Sequence, residues 1–123
     1  MNGWSVPAGL ALAAELAAVG PAAAGTYAIA ASKYEFVPAE ITVDEGETVV
    51  LEMRSTDVEH GLEIKELKVK VTIPKTGESV RTEFVAKKAG TFAFKCSEYC
   101  GNGHSRMKGR LVVRPKAAAT QEK

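Results

Sequence analysis

The chain has 123 residues, which is the length of a single domain. Sixteen lysines and arginines against fifteen aspartates and glutamates give a formal net charge of +1, so no strong field attracts nucleic acid or an anionic membrane surface. The hydrophobic fraction of 46% excludes a wholly disordered chain, and two cysteines are too few for a disulfide-stapled miniprotein.

The first part of the chain is almost uncharged and rich in alanine. Glu15 is the only charged residue before Lys33, and all other charges follow from there. We therefore predict an apolar leader over residues 1–25, a folded domain over residues 26–115 and a flexible tail over residues 116–123.

The leader has two interpretations. Small residues at positions 22–24, just before Gly25, are typical of a signal-peptide cleavage site. The alternative is a membrane anchor within residues 4–31, although Glu15 and Pro21 interrupt its apolar stretch. Both interpretations predict that the folded domain is exported or anchored outside the cytoplasm.

After the leader, hydrophobic residues recur with a period of two, which is typical of half-buried strands. The alternating sets are Ile41 and Val43; Val49, Leu51 and Met53; Leu67, Val69, Val71 and Ile73; Val80, Thr82 and Phe84; Phe92 and Phe94; and a closing strand over Leu111–Arg114. Short strands separated by turns, with no helical stretch between them, predict an all-β fold, either an antiparallel sandwich or a barrel.

Four potential metal ligands fall between the last two predicted strands. Cys96, Cys100, His104 and Met107 have the spacing Cys-x3-Cys-x3-His-x2-Met. Thiolate, thioether and imidazole form a soft ligand set that suits copper. The period of two also places Cys96 on the inward face of the strand that contains Phe94, where solvent is excluded.

The second histidine, His60, lies far from this loop in sequence. It follows the Val49–Met53 strand, and we expect it on a loop. In a Greek-key sandwich the loops at one end converge, so His60 can meet the cysteine loop. The complete set would then offer two thiols, two imidazoles and one thioether.

Other interpretations of these residues remain open. Cys96 and Cys100 would form a disulfide by default in an exported protein, although so short a loop would stabilise little. Two cysteines and two histidines also suit a structural zinc site, which does not require Met107. A cysteine–histidine nucleophile is a further possibility, but the sequence shows no evident Asn or Asp that orients either imidazole.

Residues 96–107, together with residues 55–61, closely resemble the binuclear copper (CuA) site of cytochrome c oxidase subunit II and of nitrous oxide reductase. The resemblance extends from about Tyr34 to Val113 and implies a cupredoxin-like Greek-key β-sandwich after the apolar leader. A blue cupredoxin with one copper has a single cysteine here, so the second thiol favours the binuclear site.

The resemblance also implies a role for each ligand. Cys96 and Cys100 would bridge two copper ions, while His60 and His104 would each bind one of them. Met107 and the backbone carbonyl of Glu98 would be weak ligands. The implied metal site consists of His60, Cys96, Glu98, Cys100, His104 and Met107. Phe94 and Tyr99 would be apolar neighbours that tune the reduction potential.

The implied function is electron transfer on the periplasmic side or the outer face of the cytoplasmic membrane. The donor would be a c-type cytochrome or a similar protein, and the acceptor would be the catalytic subunit of a haem–copper oxidase. The chain has no oxygen-reducing site of its own, so any enzymatic activity would belong to a complex. The alternative functions are a periplasmic copper-trafficking protein with the same ligands and a structural zinc domain.

Overall fold

The computed structural model describes residues 24–116. Their strands are β1 (Ala24–Ser32), β2 (Glu35–Val37), β3 (Glu40–Asp44), β4 (Thr48–Ser55), β5 (His60–Ile64), β6 (Val69–Ile73), β7 (Val80–Val85), β8 (Gly90–Lys95) and β9 (Lys108–Arg114). Two short 3-10 helices cover Lys65–Leu67 and His104–Arg106. Most of the predicted leader (residues 1–23) and of the tail (residues 117–123) lies outside the described residues, so those boundaries stay predictions.

The strands form two sheets that pack face to face. One sheet has the order β2-β1-β4-β7, and the other has the order β3-β9-β8-β5-β6. The predicted all-β sandwich is therefore confirmed. Its predicted antiparallel pairing is wrong for two pairs, because β1 runs parallel to β4 and β3 runs parallel to β9. Both parallel pairs join strands that are not adjacent in sequence, so local patterns give no sign of them.

The strand predicted to begin at Leu67 begins two residues later. Residues 65–67 form a 3-10 turn, and Lys68 adopts a left-handed conformation with φ of 59° while its N–H donates to the carbonyl of Lys65 at 3.1 Å. The chain reverses here between β5 and β6, which pair antiparallel. The tight reversal overrides the alternating pattern at these positions, and β6 starts at Val69.

The sequence pattern missed strands β1, β2 and β5, and β1 is the longest of the three. It contains residues 24–31, which end the range 4–31 considered for a membrane anchor, so those residues belong to a sheet and not to an anchor. Ile29 and Ala31 are buried, and Tyr27 is packed against the core. The alanines around them are only weakly apolar and hide this alternation. Within residues 24–116, no helix has the length and apolar character to cross a membrane.

The core lies between the two sheets and extends to one end of the sandwich. At this end β4 finishes at Ser55, β5 begins at His60 and β8 leads into Cys96; we call it the site pole. Phe36 and Phe94 pack edge to face with ring centroids 5.3 Å apart, and both are almost fully buried. The aromatic pair thus supports the strand end from which the cysteine loop departs.

Replacing Phe94 with alanine tests this support. Phe94→Ala removes a ring that is 1% exposed and leaves a cavity, so we expect the free energy of unfolding to fall by about 3 kcal/mol. Urea denaturation followed by circular dichroism measures the change. Thr91→Ala, at an exposed position of the same strand, should change stability by less than about 0.5 kcal/mol. Equal stabilities of the two variants would contradict the packing role.

Candidate metal centre

The cysteine loop connects β8 to β9 and is closed by backbone hydrogen bonds. The N–H of Cys96 donates to the carbonyl of Met107 at 3.1 Å, so the first and last residues of the loop face each other. The N–H of His104 donates to the carbonyl of Gly101 at 3.1 Å, which starts the 3-10 turn over residues 104–106. These bonds fold the loop back on itself and direct the cysteine and methionine sulfurs toward the interior of the sandwich.

The distant histidine reaches this loop through strand pairing. β5 pairs antiparallel with β8, with Glu63 opposite Lys95, and this pairing places His60 beside Cys96. His60 Nδ1 lies 3.9 Å from Cys96 Sγ, and the histidine is 0% exposed. The structure therefore brings His60 to the loop as the sequence predicts. The expectation that His60 lies on a loop is wrong, because it is the first residue of β5.

The potential ligands form two matching halves around the sulfur pair. Cys96 Sγ lies 3.6 Å from Cys100 Sγ. On one side, Cys96 Sγ is close to His60 and lies 3.1 Å from the carbonyl oxygen of Glu98. On the other side, Cys100 Sγ lies 3.7 Å from His104 Nδ1 and 3.8 Å from the sulfur of Met107. Each thiol thus has one imidazole and one weaker donor of its own.

Both cysteines are free thiols in this structure and are almost completely buried, at 3% exposure for Cys96 and 7% for Cys100. The disulfide interpretation is therefore not what the structure shows. Burial above all, together with a hydrogen bond and an electrostatic interaction with Cys96, raises the pKa of Cys100 to about 11. Without a metal ion, the proton stays on this thiol at neutral pH.

Asp57 orients His60, a role that the sequence did not reveal. Its Oδ1 lies 2.8 Å from His60 Nε2. Because a carboxylate only accepts hydrogen bonds, Nε2 carries a proton, and Nδ1 is the ring nitrogen that faces Cys96. Burial by itself would raise the pKa of Asp57, but hydrogen bonds from the N–H of Lys33, from His60 and from the N–H of Val58 lower it to about 2.

The sequence contains only a weak indication that Asp57 orients His60. Asp57 lies three residues before His60, and its N–H bonds to the hydroxyl of Ser55 at 3.1 Å in the turn after β4. Aspartate and serine in a turn more commonly satisfy the backbone than a side chain. Only the folded turn shows that one carboxylate oxygen is directed at the imidazole.

Tyr34 packs against the outer side of the loop. A Cβ atom at Gly103 would lie 2.5 Å from Tyr34 Cγ, and Gly101 has φ of 138°. Both glycines therefore allow the loop to approach the ring closely. Arg106 Cζ lies 5.8 Å from the ring centroid, within the range of a cation–π contact. Tyr34 and the loop thus hold each other in position.

The two expected aromatic neighbours differ in placement. Phe94 is buried, as an apolar neighbour should be. Tyr99 is 74% exposed, and its ring is tilted by 48° against His104 at a centroid distance of 5.5 Å. His104 is half-buried, whereas His60 is inaccessible. The site therefore reaches the surface at His104 and not at His60.

The donor chemistry of this cluster fits copper. Two thiols, two imidazoles and a thioether are the soft and borderline donors that copper prefers, and the cluster lies in an apolar interior. An all-β sandwich with such a cluster at one pole defines a copper-binding protein of the cupredoxin class.

The comparisons assign the family. The chain belongs to the cupredoxin-like domain family, whose model matches residues 6–113. It is homologous to cytochrome c oxidase subunit 2 of Thermus thermophilus, to which it is 30% identical over 89 residues. That alignment covers 72% of this chain, and the chain spans 65% of the length of this relative.

Solved structures share the fold. The periplasmic domain of subunit II of cytochrome oxidase from Bradyrhizobium japonicum has a TM-score of 0.67 at 20% identity, over 77% of this chain and 87% of that one. The blue copper protein auracyanin A from Chloroflexus aurantiacus has a TM-score of 0.58 at 20% identity, over 74% and 99% of the two chains. At these identities the likeness establishes the sandwich architecture.

The raised pKa of Cys100 predicts slow thiol alkylation in the metal-free protein. At pH 8, Cys100 of the folded chain should react with iodoacetamide about a hundredfold more slowly than Cys100 of the urea-unfolded chain, because the thiolate is the reactive form. Since folding raises the pKa from 9.0 to about 11, the resulting contribution to stability is complete below pH 9.0 and is lost as the pH rises through about 11. Mass spectrometry measures the rates, and equal rates at pH 8 would contradict the prediction.

The orientation of His60 by Asp57 predicts a loss of metal affinity when the carboxylate is removed. Asp57→Ala should weaken copper(I) binding by about 10-fold to 100-fold, because the imidazole loses the partner that fixes its tautomer and direction. Competition with a chelator of known affinity measures the change. Glu59→Ala, an exposed neighbour, should bind as the parent does. Parental affinity in Asp57→Ala would contradict the orienting role.

Proposed function

We propose that this domain carries a binuclear copper (CuA) centre and transfers single electrons. Cys96 and Cys100 would bridge the two ions as thiolates. His60 and His104 would each bind one ion through Nδ1. The carbonyl of Glu98 and the sulfur of Met107 would complete the two sides. The observation that carries the proposal is the pairing of each thiol with its own imidazole around a sulfur–sulfur distance of 3.6 Å.

The spacing of the donors favours two ions over one tetrahedral ion. A tetrahedral zinc ion with bonds of 2.0–2.3 Å holds all four donors about 3.3–3.8 Å apart. Among residues 24–116, the donor atoms of His60, Cys96 and Cys100 lie within 4.8 Å of one another, and this group does not extend to His104. A single Cys2His2 ion would therefore require the loop to move, whereas two ions use the donors where they are.

Copper ions held by these residues would supply one-electron chemistry, with the charge shared so widely that each bond would change little on reduction. The protein contributes rigidity and exclusion of water. Cys96 and Met107 are held together by a backbone hydrogen bond, Asp57 fixes His60, and Tyr34 packs against the loop. A site that is fixed in advance in an apolar interior lowers the reorganisation that electron transfer requires.

A catalytic cysteine is the competing interpretation that the structure makes specific. Asp57, His60 and Cys96 are arranged in a row, as in a nucleophilic triad. However, Cys96 is only 3% exposed, and the neighbouring Cys100 holds its proton more tightly than a free cysteine does. Reactive thiols have a lowered pKa and access to substrate, so the arrangement supports metal binding better than nucleophilic attack.

The proposed setting is the periplasm or the outer face of the cytoplasmic membrane. There the domain would accept electrons from a c-type cytochrome or a similar donor and pass them to the catalytic subunit of a haem–copper oxidase. The homology to subunit 2 of an oxidase supports this assignment. The same site would equally suit a separate electron carrier that is not part of an oxidase, because the ligand cluster is formed within one chain.

Copper loading of the Cys100→Ser variant tests the proposal. The parent chain should bind two copper ions and show an intense thiolate-to-copper absorption, measured by metal analysis and visible spectroscopy. Cys100→Ser should bind at most one copper, because a hydroxyl does not replace the bridging thiolate. Ser105→Ala, in the same loop but outside the ligand set, is the matched control and should keep both ions.

Other functions give different results in the same measurements. A copper carrier would hold one colourless copper(I), and a zinc domain would take up zinc without colour. A Cys100→Ser variant that kept two copper ions and the parental colour would contradict the bridging role.

A further inference from the structure

A depression at the surface leads to His104. It has a volume of about 400 Å³, and its lining includes His104, Ser105, Lys95 and Lys108 together with the buried Cys96. His104 is the proposed ligand that solvent reaches, since His60 is fully buried. A partner that exchanges electrons with the site over the shortest path would therefore contact this depression.

Two lysines flank the depression in an unfavourable arrangement. Lys95 on β8 and Lys108 on β9 are directly opposite each other in the antiparallel register, and both are exposed. Like charges at directly opposite positions destabilise a sheet. Within residues 24–116, neither ammonium group has a carboxylate within ion-pair distance. The fold thus holds two lysines without an ion pair beside His104. Among the described strands, Lys95 has Glu63 opposite it on β5, whereas no acidic residue lies opposite Lys108.

The other positive charges of strand β9 are paired with acidic residues. Arg110 pairs with Glu40 at 2.8 Å, and Arg114 pairs with Asp44 at 2.7 Å, both across the parallel β3–β9 ladder. This ladder begins opposite Arg110, so it offers no acidic residue to Lys108. The charge on β9 that lacks an ion pair, that of Lys108, therefore lies at the end next to the metal centre.

The row of charged residues continues across the sheet. Beyond Lys95, the register places Glu63 on β5 and then Lys70 on β6 in the same row. The row therefore presents three lysines and one glutamate. The strongly exposed Tyr99, packed against His104, adds an apolar contact beside the charges. A central apolar group with charges around it is the usual composition of a transient docking surface.

We propose that Lys95, Lys108, His104 and Tyr99 form a docking surface for the acidic face of an electron-transfer partner. This inference rests on the proposed function and names the chemistry of the partner. Carboxylates on the partner relieve the repulsion between Lys95 and Lys108, so the arrangement that weakens the isolated domain strengthens the complex. Complementary charge also raises the rate of association and makes it sensitive to salt.

The kinetic test uses small oxidants of opposite charge on the copper-loaded, reduced full chain. Hexacyanoferrate(III) accepts one electron from the site and becomes hexacyanoferrate(II), while tris(phenanthroline)cobalt(III) accepts one electron as a cation. Lys95→Glu combined with Lys108→Glu should slow the anionic oxidant by about tenfold and accelerate the cationic one. Lys87→Glu combined with Lys88→Glu makes the same change in net charge at the opposite pole and should leave both rates within about twofold of the parent.

A binding test needs no copper. Titration of the full chain with hexacyanocobaltate(III), an inert anion, should shift the amide NMR signals of Lys95, Ser105 and Lys108, and hexaamminecobalt(III) should not. The Lys95→Glu and Lys108→Glu variant should lose these shifts, while the control pair at residues 87 and 88 keeps them.

The two tests separate the two proposals. A chain that binds the anion at these lysines but takes up no copper would retain the surface and overturn its role in electron transfer. A chain that loads copper normally, but whose anion binding and oxidation rates do not depend on Lys95 and Lys108, would overturn the docking surface alone.

Discussion

The antiparallel pairing of β5 with β8 determines the geometry of the whole site. It sets His60 beside Cys96, although the two residues are far apart in sequence. The remaining donors then need only a short loop, because the hydrogen bond between Cys96 and Met107 returns the chain to the same place before β9 begins. A shift of one residue in this register would turn His60 to the opposite face of the sheet and leave Cys96 without its imidazole.

Burial gives the site its chemical character. The apolar interior raises the pKa of Cys100 and so keeps this thiol protonated in the metal-free protein. Metal binding must then displace protons, which couples copper uptake to pH. The same burial excludes water from the donors, while Asp57 and Tyr34 fix two sides of the cluster. The enclosure opens at His104. The lysines beside it lack ion pairs, whereas Arg110 and Arg114 farther along β9 are paired with acidic residues.

The sequence predicted the parts of this arrangement that depend on local pattern. The period of two correctly directed Cys96 inward with Phe94, and the soft ligands in one loop pointed to copper. It did not reveal β1, because the alanines around Ile29 and Ala31 carry little hydrophobic contrast, nor the left-handed Lys68 in a tight reversal. The six assigned ligands remain a proposal, although the fold now brings all of them to one pole.

What the sequence could not show depends on long-range register. The orienting role of Asp57 appears only when the turn after β4 has formed. The unpaired state of Lys108 likewise depends on where the parallel β3–β9 ladder begins. Charge counts along the chain give a net charge near neutrality and conceal this local excess. Features of this kind follow from topology, which local periodicity does not specify.

The central claim is that two copper ions share one electron across two thiolates. Electron paramagnetic resonance of the oxidised, copper-loaded full chain tests it most directly. The account predicts hyperfine splitting from two equivalent copper nuclei coupled to a single unpaired electron. Splitting from one copper nucleus, in protein that contains two copper ions per chain, would contradict it.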